Sequence, residues 1–291
     1  MAAVVALDLL AVGHYALAAH AAPPSADATP APTATPTPTV SPNGSPSPAQ
    51  SPGPAAAPVT LAWVDVPVAN VWEHVSSVRH VDRPSLLTPP RMRAWFRGQT
   101  LAQRLDLESR LMTQALRGER VVVLATSRGF AQVRIEEQVG SSYPHGIIGW
   151  VAARQLSPTA VPHAAMSQPK SAVTAVRNAR TFVGVPYVWA GMSSYGIDCS
   201  GLTYRAYLSM GITLPRDAAD QSRVGAVVSR RDLRPGDLVF FGRGSWHNIH
   251  HVGIYAGRGL VLHAPHTGTR VRFTPLSAWR DYWGARRLTH R

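Results

Sequence analysis

A chain of 291 residues with 45% hydrophobic content has room for one or two folded domains plus tails, and its single cysteine excludes a disulfide within the chain. All 29 Lys and Arg residues and twelve of the 16 acids follow residue 78, so residues 79–291 carry a net charge of +17, and every cation but Lys170 is arginine. Such a field attracts polyanions, but no basic helix with interleaved aromatics, zinc-finger or ribonucleoprotein signature accompanies it, which sets nucleic acid aside and leaves an anionic cell envelope, or a mere compositional bias toward arginine.

Residues 2–19, AAVVALDLLAVGHYALAA, are mostly apolar and precede Ala19-His20-Ala21, an A-x-A pattern. No Lys or Arg precedes the run, and Asp8 interrupts it. The expectation for 1–21 is a signal peptide or an N-terminal anchor. Residues 22–58 then hold 12 of the 25 prolines among Ala, Thr and Ser, with no aromatic and one charge. That composition predicts an extended, disordered linker, because it cannot bury enough apolar surface to offset its ordering entropy. A leader followed by such a spacer points to a secreted protein working at a cell wall.

A first folded unit is predicted over 59–157. Val59–Val68, Arg120–Thr126, Phe130–Ile135 and Ile147–Val151 read as strands. Between the first two, Thr100 and Gln103 form a capping box, and Leu101, Leu105, Leu111, Met112 and Leu116 continue a helical stripe that stops at Gly118. The pattern predicts a small β-barrel with a helical insertion. GERVVVL, GFAQVRI and GIIGWV resemble the Gly-punctuated strands of a bacterial SH3 domain; a generic β-sheet domain is the alternative. Residues 158–169 serve as a linker. From 170 to 291 the expected order is a helix from Lys170 to Val183, and another from Ser200 to Met210 closed by Gly211. Four strands follow, near Asp237–Phe241, His250–Ala256, Leu260–Ala264 and Thr269–Phe273. Helices followed by an antiparallel sheet make this an α+β unit.

The lone cysteine sits in GIDCSGLTYRAY, where a loop becomes a helix. A helix N-terminus lowers a thiol's pKa and makes the nucleophilic thiolate accessible. A general base is offered by WHNIHHVGIYAGRGLVLHAPH, in which His251 and His263 lie at matching ends of a hairpin. If Gly253 pairs with His263, the two rings share a face; a one-residue slip separates them. The first register is the expectation. His247, His250 and His266 read as surface or structural histidines, His266 being the rival third member. One Cys and two His also form an acceptable zinc set, which makes a metal enzyme the competing chemistry.

PYVWAG at 186–191, DCSG at 198–201, LPRDAADQ at 214–221, RPGDLVFF at 234–241, HHVGIY at 250–255 and LHAP at 262–265 occur in the order and spacing of the NlpC/P60 family, which the segment 170–291 resembles throughout. The resemblance implies a papain-like cysteine peptidase that hydrolyses peptidoglycan stem peptides at the γ-D-glutamyl–diamino acid bond. It implies Cys199 as nucleophile, His251 as general base and His263 as the group that orients it. Tyr187, Asp198 and Ser200 would shape the substrate pocket, and no metal or cofactor is called for. Asp198 and Ser200 equally suit a helix cap, and Asp217 and Asp220 read as solvated helix-surface residues. A wall-binding protein with a weak catalytic unit, and an amidase or acyltransferase on the same scaffold, are the alternative functions. The expected partners are stem peptides and anionic wall polymers, with the chain acting as a monomer.

Overall fold

The computed structural model describes residues 60–162 and 168–288, so the expected leader and spacer, and the centre of the linker expected over 158–169, lie outside the described residues. The described residues belong to one compact unit. Its first half is an antiparallel sheet. β1 (Thr60–Val64) and β2 (Val68–Trp72) replace the single strand expected over 59–68. Pro67 has no N–H to donate, and Val64 and Asp65 donate instead to Glu119 O and Gln155 O, so the chain turns between the strands.

Two short helices follow, α1 (Met92–Arg97) and α2 (Leu101–Leu105). The Thr100–Gln103 capping box forms as the spacing predicts, with Gln103 N donating to Thr100 Oγ1 at 3.2 Å and Thr100 N to Gln103 Oε1 at 2.9 Å. The helix does not run on to Leu116. A 3-10 turn over Asp106–Ser109 ends it, and β3 (Leu111–Leu116) lies antiparallel to β2 with Val68 opposite Leu116. The apolar spacing that suggested a helix is overridden by the ladder to β2, which satisfies the backbone and buries five of the six residues of β3. β4 (Arg120–Ser127), β5 (Phe130–Ile135), β6 (Ile147–Ala152) and β7 (Leu156–Ser157) complete the sheet, in the order β3-β2-β6-β5-β4-β1-β7. Val64, Val71, Val121, Val133 and Val151 form its own core, and β3 is an edge strand.

The second half is mixed helix and antiparallel sheet. α3 (Ala172–Arg180) is capped by Ser171, β8 (Met192–Ser193) and β9 (Gly196–Ile197) form a small ribbon, and α4 (Cys199–Leu208) and α5 (Ala218–Gln221) follow. The main sheet has six strands rather than four. β10 (Ala226–Val228) and β15 (Tyr282–Arg287) join β11 (Leu238–Gly242), β12 (Ile249–Gly257), β13 (Leu260–His263) and β14 (Arg272–Pro275) in the order β10-β15-β11-β12-β13-β14. β15 carries Gly284 and two arginines and has no apolar alternation to betray it; pairing with β11 makes it a strand. β14 begins three residues later than the expected Thr269.

Fully buried β11 shows how the sheet divides the interior. Leu238 and Phe240 face α4 with Val252, Ile254 and Leu262, while Val239 and Phe241 face a second cluster with Val261, Leu276 and Ala285. The larger cluster does not stop at the first sheet. Val68, Trp72, Leu111 and Leu116 belong to it together with Leu202 and Tyr204, so β3 and α4 are parts of one core.

Candidate active site

Cys199 is the first residue of α4, and Asp198 caps the helix by accepting from Gly201 N at 2.6 Å. Residue 201 must be glycine, because a Cβ there would lie 2.2 Å from Gly191 O. The Asp198 carboxylate is itself clamped. Arg216 donates to its Oδ2 from Nη2 at 2.6 Å and to its Oδ1 from Nη1 at 3.2 Å, and Nη1 also donates to Ser200 Oγ at 2.9 Å. All three residues are buried. Asp198 and Ser200, expected at the substrate pocket, therefore have their side-chain oxygens engaged with Arg216 and the helix cap. Tyr187 is also buried; it bridges to Ile197, and its N–H donates to Thr269 O at 2.9 Å, which brings it beside the Asp198 segment and the loop after His263.

The histidines come from the hairpin β12–β13. Ile254 pairs with Leu262 and Tyr255 with Val261, a phase that sets Gly253 opposite His263, as expected. Gly253 leaves the room this needs, since a Cβ there would meet the His263 Cβ at 3.1 Å and a Val261 methyl at 2.5 Å. His251 Nε2 and His263 Nδ1 lie 2.9 Å apart, and His263 Nε2 lies 2.8 Å from Thr274 Oγ1. One neutral arrangement of these rings has His251 Nε2–H donating to His263 Nδ1 and His263 Nε2–H donating to Thr274 Oγ1. That leaves His251 Nδ1 as a free base. The backbone N–H of Val252, the next residue of the same strand, and that of Ser200 favour the Cys199 sulfur anion.

Burial sets the protonation of this group. It and the Asp198 carboxylate push the Cys199 thiol up to about 12, against the weaker pull of the backbone N–H groups and Arg216. The lowering expected from the helix N-terminus is outweighed here, because the same terminus is capped by an anion and closed to water. Burial, then the charges of His263 and His250, hold His251 well below 6.5, and burial with Arg272 brings His263 down to about 3. At neutral pH the resting site is thus a thiol beside two neutral imidazoles.

The remaining histidines have local partners. His247 packs on Trp246 with centroids 3.7 Å apart, His250 meets Asp281 at 2.9 Å, and His266 Nδ1 lies 2.9 Å from Thr267 O. Asp220 is not the solvated residue expected: it is buried and accepts from Ser141 N at 2.8 Å. Asp217 does keep a surface, although burial of its surroundings raises its carboxyl. Among the described residues no group of three His, Cys, Asp or Glu side chains converges on a metal-sized site.

Three residues of the site escaped the sequence reading. Arg216 stood inside LPRDAADQ, and a lone Arg between a leucine-proline pair and a helix was a signal left unused. Thr274 and Trp279 gave no signal. Trp279 stacks on His251 with centroids 5.2 Å apart and planes at 16°, meets His263 edge-on at 5.0 Å, and stacks on Phe241 at 3.9 Å. It holds the His251 imidazole by its face and the His263 imidazole edge-on. Such contacts contribute about 0.5–1.5 kcal/mol each, so Trp279→Ala is expected to lower kcat up to about tenfold with KM nearly unchanged, and Trp279→Phe to retain most activity. Steady-state kinetics on the two variants check this.

The NlpC/P60 family model matches residues 184–291, which contain Cys199, His251 and His263. A γ-D-glutamyl-L-lysine dipeptidyl-peptidase of Bacillus cereus is 29% identical over 78% of this chain and 90% of its own length. A protein of Corynebacterium glutamicum described as a probable endopeptidase is 36% identical over 51% of this chain and 74% of its own. The crystal structure of an NlpC/P60 family protein from Bacillus cereus superposes with a TM-score of 0.72 at 27% identity, over 78% of this chain and 99% of that one. By these matches, which bracket the buried sulfur and the paired imidazoles, the chain belongs to the NlpC/P60 family and is a cysteine peptidase of peptidoglycan.

Proposed function

We propose that the protein is an exported endopeptidase that hydrolyses the γ-D-glutamyl–diamino acid bond of peptidoglycan stem peptides, with Cys199, His251 and His263 as its catalytic relay. The observation that carries the roles is the 2.9 Å His251–His263 contact, on the strand whose next N–H, that of Val252, favours the Cys199 sulfur anion. The bond is argued from the near full-length likeness to the Bacillus cereus dipeptidyl-peptidase.

As sulfur attacks the scissile carbonyl, its proton passes to His251 Nδ1, and the imidazolium formed donates to His263. The Cys199 N–H, in the first turn of α4 where it has no intrahelical acceptor, faces the developing oxyanion. His251 then protonates the leaving amine, and a thioester remains on Cys199. Water, losing a proton to the same nitrogen, releases the γ-glutamyl carboxylate and restores the thiol. The chain's own groups supply nucleophile, base and orienting partner.

The first sheet, with its short antiparallel strands, suits an SH3-like wall-recognition module, and the arginine-rich charge suits anionic wall polymers. Export is argued from the composition of residues 1–58. Mass spectrometry of products from defined muropeptides tests the bond. The expected products end in a γ-linked D-glutamyl carboxylate and begin with the diamino acid. Products cut only between D-residues of the cross-link would overturn the assignment.

A further inference from the structure

The cysteine's helix is held from outside its own module. β3, the edge strand of the first sheet, sends two adjacent side chains toward it. Thr113 Oγ1 accepts from Arg216 Nε at 3.0 Å and donates to Gln138 Oε1 at 2.6 Å. Gln114 Oε1 accepts from Met192 N at 2.9 Å. Arg216 clamps Asp198 and Ser200, as described above, and Gly191, the residue before Met192, accepts from Asp198 N at 3.2 Å. Both flanks of the Cys199 turn are thus tied to one strand. Behind Thr113 the chain of bonds goes on, since Gln138 Nε2 donates to Gln114 O at 3.0 Å and to Glu119 Oε1 at 2.9 Å. Thr113, Gln114 and Gln138 have no exposed surface.

We propose that Thr113 is a positioning residue for the reaction at Cys199: its hydroxyl, oriented by Gln138, fixes the Arg216 guanidinium and through it the N-terminal turn of α4. The geometry explains the assignment. Two of the three Arg216 nitrogens are used on Asp198 and Ser200, which alone would let the guanidinium pivot about the carboxylate. Thr113 takes the third, Nε, and so sets the plane. The Thr113 oxygen accepts from Arg216 while its proton goes to Gln138, which orients the hydroxyl, and Gln138 is held in that orientation by two acceptors for its amide. The first sheet is then a working part of the catalytic centre, and not solely a wall-recognition module or spacer. This rests on Cys199 being the nucleophile.

The test compares Thr113→Val, which keeps shape and loses the hydroxyl, with Thr113→Ser, which keeps it. Muropeptide cleavage and alkylation of Cys199 by iodoacetamide are both measured well below the melting temperature. Thr113→Val is expected to lower kcat about tenfold with KM unchanged and to slow alkylation about threefold, while Thr113→Ser stays within about twofold of the parent. A valine variant that melts earlier but keeps the parental kcat and alkylation rate would show a structural role only and overturn the proposal. So would a serine variant as slow as valine. Should the valine variant not fold, Arg216→Lys carries the test, since it keeps a cation on Asp198 but has no Nε for Thr113. The same loss of kcat is expected, and parental kcat overturns the idea. Alkylation needs no substrate, so a parent that cleaves no muropeptide while its alkylation still responds to Thr113→Val would refute the proposed substrate and not the positioning.

Discussion

Cys199→Ala is expected to abolish cleavage of muropeptides, a loss on the order of 10^4-fold or more, and His251→Ala to lower kcat by about 10^3-fold. The two losses should not add, because sulfur and imidazole act as one unit. His263→Ala removes the partner of His251 Nε2, together with the Thr274 and Trp279 contacts, and is expected to lower kcat by about 10^2-fold. The pH dependence follows from the protonation of the resting site. A thiol pushed up to about 12 beside a histidine held below 6.5 is a neutral pair, not a preformed ion pair. Alkylation of the free enzyme is therefore expected to be slow at pH 7 and to climb steadily through the alkaline range. A rate that is already maximal near pH 6 and flat above it would show a preformed thiolate and overturn this description. Attack on substrate does not require the ion pair in advance, since the proton leaves sulfur as the carbonyl carbon is engaged.

Arg216→Ala is expected to be the most destabilising single substitution at the site, at about 3–5 kcal/mol in urea denaturation. Arg216 is 2% and Asp198 6% exposed, and their nearest contact is 2.6 Å. Removing the cation leaves Asp198 charged and buried, with only the Gly201 N–H and the Ser200 hydroxyl to solvate it. The Thr113 hydroxyl loses a donor at the same time. The double variant Arg216→Met with Asp198→Asn removes the stranded charge and is expected to recover part of the stability, because the amide oxygen can still cap α4 at Gly201 N. Equal stability for the single and double variants would show that the ion pair is not what holds this turn.

Much of this was legible in the chain. Cys199, His251 and His263 could be singled out as candidates because a thiol at a loop–helix junction and two imidazoles at the ends of a tight hairpin are both local patterns. The hairpin register was an expectation of the sequence, and in it Val252, Ile254 and Leu262 share the face toward α4. The Thr100 cap was legible as a local pattern too. What was not legible depends on partners far away in sequence. Leu111–Leu116 has helix-compatible apolar spacing, and only Val68–Trp72, some 40 residues earlier, makes it a strand. β15 has no pattern of its own. Asp220 reads as a surface acid until Ser141 is laid against it.

By itself, then, the order of residues determined which groups could do the chemistry, since nucleophile, base and helix cap are chosen by short-range geometry. Only the tertiary structure decided how those groups are charged and held. The sulfur's pKa depends on how completely neighbours exclude water from it, and the orientation of Arg216 on a hydroxyl 103 residues away. Burial and long-range hydrogen bonds are properties of the packed molecule, and no local pattern in the chain encodes them.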